Sequence, residues 1–228
     1  MINTDNQSKL AETAVEKITK RPDEQSGIYV RGHIKIFDPE SGDVYIDKPN
    51  AIHYENFSQA LAWSMANKGE NYIYEMTFGN GGTSVDPTGI ITYLPTNTVG
   101  QNANLYNPTY SKIVDNTAIA NISPTNNKMT VAHIPGTVYT DILVSCLLDY
   151  GEPNGQDNLD NSQNLNGTYV FDELGLRGRS TDGTSGLTSN GLLLTHVVFM
   201  PVQKSLNRLI QVDYTVRIQT LTNLSSNG

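Results

Sequence analysis

One cysteine and one tryptophan stand in 228 residues, and only 17% of the side chains are charged. There is no Lys/Arg cluster and no long apolar run. Each shortage excludes something. The lone Cys146, set in the apolar run DILVSCLLDY, permits no internal disulfide and no CxxC metal site. It reads as a small core residue rather than an activated thiolate. With 15 Lys+Arg against 23 Asp+Glu and a formal net charge of −8, the chain offers a phosphate backbone no electrostatic footprint. Direct nucleic-acid binding is not expected. No apolar stretch approaches the roughly 18 residues of a bilayer span, and MINTDNQSKLAETAVEKITKRPDEQ lacks the apolar centre of a secretory signal. No membrane partner is expected, and assembly in a cytoplasm is. On that expectation the Asn-x-Ser/Thr triplets at Asn56, Asn121, Asn166 and Asn223 are by-products of composition.

What replaces the missing charge is uncharged polarity: 24 Asn, 23 Thr and 19 Gly. The chain divides into an arm, residues 1–26, and a β-rich domain, residues 27–228. The arm holds Lys, Glu, Asp and Gln with a thin apolar stripe, Leu10, Ala14 and Ile18, at i, i+4 and i+8, ahead of Pro22. A free helix of about 12–15 residues is marginal in water, so such a segment orders by docking if it orders at all. Leu10, Ala14 and Ile18 are its candidate assembly contacts.

From Ile28 the pattern turns to alternation, and Asp38-Pro39-Glu40-Ser41-Gly42-Asp43 breaks two β-rich runs into a hairpin. One interior helix follows, capped by Asn56 or Ser58, with Phe57, Leu61 and Met65 on its apolar face beside Trp63 and with Gly69 as its stop. Strands are expected at 72–78, 89–94, 129–134, 137–148, 168–174, 192–200 and 209–221. The last buries Ile210, Val212, Tyr214, Val216 and Ile218 on one face. The fold class is therefore mainly β: an antiparallel sandwich or barrel-like domain with one short helix. The connections 96–127, 151–167 and 177–191 far exceed the usual four to six residues, a length typical of functional or interface loops.

No stretch carries a convergent catalytic pattern. FGNGGTSVDPTG lacks the GK[ST] of a phosphate loop and the GxGxxG order, so its glycines read as tight turns or close backbone approach. Ser162 to Glu173 has the spacing of a calcium loop, but Ser replaces the first aspartate and Glu173 is the only anionic ligand. His33, His53, His133 and His196 form no HxH or HExxH pair and read as strand or hydrogen-bonding residues. The carboxylate pairs Asp172/Glu173 and Asp157/Asp160 read as solvated loop acids. No catalytic residue, metal ligand or cofactor is assigned.

Gly32-His33-Ile34-Lys35-Ile36 with Asp38, the turn Ser41-Gly42, and Asn50-Ala51-Ile52-His53 with Glu55-Asn56-Phe57-Ser58 resemble the amino-terminal region of tailed-bacteriophage virion structural proteins. Glu173-Leu174-Gly175-Leu176 and Thr195-His196 are similar to paired strands in phage tail and appendage domains. The resemblance spans under half of the chain. It implies a non-enzymatic subunit of the neck or tail that partners copies of itself and other virion proteins as a symmetric oligomer, and it leaves open a capsid decoration protein. A carbohydrate-binding appendage module is the alternative from the residues, drawn from 12 tyrosines and amide-rich loops. Trp63, placed on the helix, weighs against it.

Overall fold

The computed structural model describes residues 26–153 and 168–222. The arm contacts Leu10, Ala14 and Ile18, and the pair Asp157/Asp160, lie outside them. In chain order the elements are β1 (Ser26–Phe37), β2 (Val44–Ile52), α1 (Tyr54–Met65), β3 (Ile73–Gly79), β4 (Thr83–Val85), β5 (Ile91–Tyr93), β6 (Pro108–Ile113), β7 (Lys128–His133), β8 (Tyr139–Leu148), β9 (Thr168–Gly178), β10 (Thr195–Ser205) and β11 (Ile210–Thr222).

Nine strands form one antiparallel sheet in the order β6-β3-β9-β10-β2-β1-β11-β8-β7, and β4 and β5 make a separate hairpin. The sheet curls so that β6-β3-β9-β10 faces β2-β1-β11-β8-β7 across a common core, joined where Thr195 and His196 of β10 pair with Ile52 and Ala51 of β2. This is the mainly β, sandwich-like or barrel-like domain that alternation implied. The period-2 pattern survives in detail: Ile34 and Ile36, then Val144, Cys146 and Leu148, then Val212, Tyr214 and Val216 are all buried inward. Cys146 is a fully buried free thiol, and burial pushes it up to about 12, so it is inert packing.

Three expectations need correction. The stretch 96–127 is not one loop: Pro108–Ile113 is the strand β6, paired with β3. Its Lys, Ser, Thr and Pro content hid it, because an edge strand tolerates Pro at its first residue. Likewise β9 runs on through Gly178, past the point where the loop 177–191 was to begin. In α1 neither Asn56 nor Ser58 is the cap. His53 is, its Nδ1 accepting the Asn56 amide at 3.2 Å. The helix buries Asn56, Phe57 and Ala60, whereas Met65 is 80% exposed.

Candidate functional site

Four residues of the resemblance motifs, His53, Asn56, Glu173 and His196, meet beneath one long loop, residues 94–107, while the Gly32–Asp38 stretch lies elsewhere. On β10, His196 accepts the Asn97 amide at Nδ1 (2.7 Å), so its proton sits on Nε2 and is donated to Glu173 of β9 at 3.0 Å. His53 repeats the device. Its Nδ1 takes the Asn56 amide and its Nε2–H donates to the Gly100 carbonyl at 2.9 Å. From α1, the Asn56 amide group donates to the carbonyls of Gln101 (3.3 Å) and Leu193 (2.9 Å). Arg177 of β9 reaches Asn104 Oδ1 at 2.5 Å and lies against Glu75 of β3 at 3.4 Å, while the other Glu75 oxygen accepts the Gly186 amide at 2.8 Å. The four side chains His53, Glu75, Glu173 and His196 have no solvent exposure.

Glu173 is the hub. One oxygen accepts the amides of Asn107 (2.8 Å) and Gly81 (3.1 Å); the other accepts the Tyr106 amide (3.0 Å) and His196. Burial alone would push this carboxyl up, but the hydrogen bonds from His196, Asn107 and Tyr106 outweigh it and hold the group below the usual glutamate range. Asp172 next to it accepts the amides of Gly82 (2.9 Å) and Thr83 (2.8 Å) and the Thr83 hydroxyl. There burial wins and the carboxyl is raised, the hydrogen bonds offsetting only part of it. The two acids are therefore buried strand residues, not solvated loop acids. They hold the base of the β4–β5 hairpin and the Tyr106–Asn107 end of the long loop against the sheet, while His196 holds the loop at Asn97.

The glycine-rich stretch is the other half of this clamp. A Cβ on Gly79 would lie 2.5 Å from Glu173 Oε1 and 2.6 Å from the Asn107 carbonyl, so only glycine lets the backbone close on the carboxylate. Close backbone approach is the reading that its sequence favoured. Glu173, the one anionic residue at a ligand position of the calcium-loop spacing that was set aside, has both oxygens committed to protein donors.

Chemically the clamp is closed. Each ring nitrogen of His53 and His196 has a partner, and both Glu173 oxygens are saturated by donors inside the protein. Among the described residues no group of three or more His, Cys, Asp or Glu is arranged to hold a metal ion. Outside the clamp, His33 meets Asp47 at 3.0 Å on the surface and His133 lies 3.0 Å from Thr140 Oγ1. Among exposed polar residues, the hairpin region and the loop present the apolar side chains of Val85, Ile90, Tyr93 and Val99, the last 85% exposed. Trp63 is only partly buried on α1.

Motif reading missed Glu75, Asn97, Asn104 and Arg177. A signal existed, because Glu75 sits inside YIYEMTF and Arg177 closes VFDELGLR, charges embedded in apolar strand runs that must find buried partners. No family model, curated protein or solved structure matches the chain.

Proposed function

We propose that the chain is a non-enzymatic structural subunit of a tailed-phage virion, a neck or tail component that assembles as a symmetric oligomer with copies of itself and other virion proteins. One observation carries the reading. The motif residues of the resemblance, His53, Asn56, Glu173 and His196, serve to fix a long loop and the hairpin beside it, which leave Val99 on the loop and Val85, Ile90 and Tyr93 on the hairpin exposed. A fixed loop and hairpin that expose Val99, Tyr93, Ile90 and Val85 have the character of a protein-facing surface, since apolar groups held exposed on rigid elements favour association. Repetition of one modest contact around a symmetric ring supplies avidity without a large single interface.

The test is direct. Purified particles are digested and searched for this chain by mass spectrometry, and the isolated subunit is followed by sedimentation across concentration. Presence in the particle at a stoichiometry matching a ring, with concentration-dependent association, is the expected result. A chain missing from the particle and monomeric at high concentration overturns the proposal.

A further inference from the structure

We infer that in the free subunit residues 10–18 of the chain seat their Leu10, Ala14 and Ile18 stripe in the subunit's own apolar cavity beside α1, covering the inner face of β7. This goes beyond the virion reading and does not depend on it.

The cavity, about 380 Å³, opens between α1 and the β7 end of the sheet and is lined chiefly by Phe57, Ala60, Leu61, Met129, Ile142 and Ile218. Its floor is the core-facing side of the sheet. Val131 pairs with Ile142 and Met129 with buried Val144, so both β7 residues share the inward parity of the core. Yet Val131 is 73% exposed. An inward-facing valine open to that degree marks a stretch of sheet that no described element covers. The uncovered surface continues along the same face toward the start of β1. Ile218 pairs with Val30, and the next inward residue of β1, Ile28, is 56% exposed. β7 is also the last strand in the sheet order, with no strand on its outer side among the described residues. Natural proteins cover or blunt such edges.

Position selects the occupant. The arm enters the sheet at Ser26, beyond Ile28 on this same end of β1. From Ser26 to the row of Val131 is six residues along the strand, about 20 Å, and three strands across, about 14 Å, giving a separation of about 24 Å. The stretch from Ile18 to Ser26 spans up to about 26 Å extended, so the stripe reaches the cavity within one subunit. Tethering also places it there at an effective concentration of about millimolar, ahead of any second copy at ordinary dilution. The i, i+4, i+8 spacing suits one apolar helical face lying in a groove rather than a strand added to β7.

Two measurements on the full chain decide it. Hydrogen exchange is compared between the native chain and L10D/I18D. The expected result is at least tenfold faster exchange at Phe57–Leu61 and Met129–Val131 with β9 and β10 unchanged, and equal exchange at the cavity overturns the inference. In a C146A background, A14C is combined with V131C and treated with a short bis-maleimide. Crosslinking within the monomer, independent of protein concentration and absent when S41C at the far hairpin replaces V131C, supports it. Crosslinked dimers, which place a second copy's arm in the seat, or no crosslink at all, overturn it.

Discussion

Glu173 accepts four hydrogen bonds with no exposure to water, so its removal strands three amides and the His196 N–H together. Glu173→Ala is expected to cost about 3–5 kcal/mol in urea unfolding, the range for a broken buried pair. Because its folded pKa lies below the ordinary 4.5, the unfolded chain binds the extra proton. The contribution is fully present above that value and fades as pH falls through the depressed one. The stability gap between native and Glu173→Gln chains is therefore expected to stay constant above about pH 5 and to narrow below 4.5; a gap that widens in acid would refute the assignment. Lys204 shows the same sign of pH dependence, but its lowering disfavours the charged form that the chain holds at neutral pH. It is fully buried, its ammonium donates to the Ser205 carbonyl at 2.8 Å, and burial pulls it down to about 8, countered in part by Glu152 and Asp149. Between about 8 and 10.5 the unfolded state alone holds the proton, so stability rises with pH across that window. Lys204→Met is expected to abolish the rise and to add about 1–3 kcal/mol at pH 7, read from paired denaturation curves.

At the scale of elements, the clamp depends on strand β9 lying between β3 and β10 with the Gly79–Thr83 turn folded over it. Gly79→Ala introduces a Cβ at 2.5 Å from Glu173 and 2.6 Å from a carbonyl, one flexible neighbour and one rigid. A loss of about 1–3 kcal/mol is expected, with faster hydrogen exchange at Tyr106 and Asn107. Gly89→Ala is the contrast, since it meets open space and bears only the strain of φ +87, about 1 kcal/mol, with exchange in the clamp unchanged. Equal effects at the two sites would mean that the turn is not packed on the carboxylate. Elements with strong alternation, such as β11, or with a Pro/Gly-rich turn, such as the β1–β2 hairpin, were legible because local pattern and burial agree in them. β6 was not. Its burial comes from β3 on one side and from the Lys112 ammonium reaching the Leu147 carbonyl of β8 at 2.7 Å, contacts that no local period records. The cap of α1 was missed for a related reason: His53 is not a preferred capping residue, and it is aimed there by its bond to Gly100, 47 residues away.

For the whole molecule, the exposed apolar groups on the clamped loop and hairpin are separable from the core. The quadruple substitution V85D/I90D/Y93D/V99D is expected to change the unfolding free energy in urea by no more than about 0.5 kcal/mol per site while abolishing incorporation into particles, scored by mass spectrometry of assembled virions. Normal incorporation would move the interface elsewhere. The division between what was readable and what was not follows the range of the forces. Composition and period-2 alternation determined a mainly β chain with one short helix and an inert Cys146, because each of these depends on a residue and its near neighbours. They also located the glycines that permit close approach. Only the tertiary structure decided that His53, Asn56, Glu173 and His196, spread over more than a hundred residues, converge on a single loop. Register set that convergence: Thr195 and His196 pair with Ile52 and Ala51, and Val198 with Glu173. Registers are chosen by the packing of both sheet faces at once, a non-local choice that side-chain spacing along the chain does not carry.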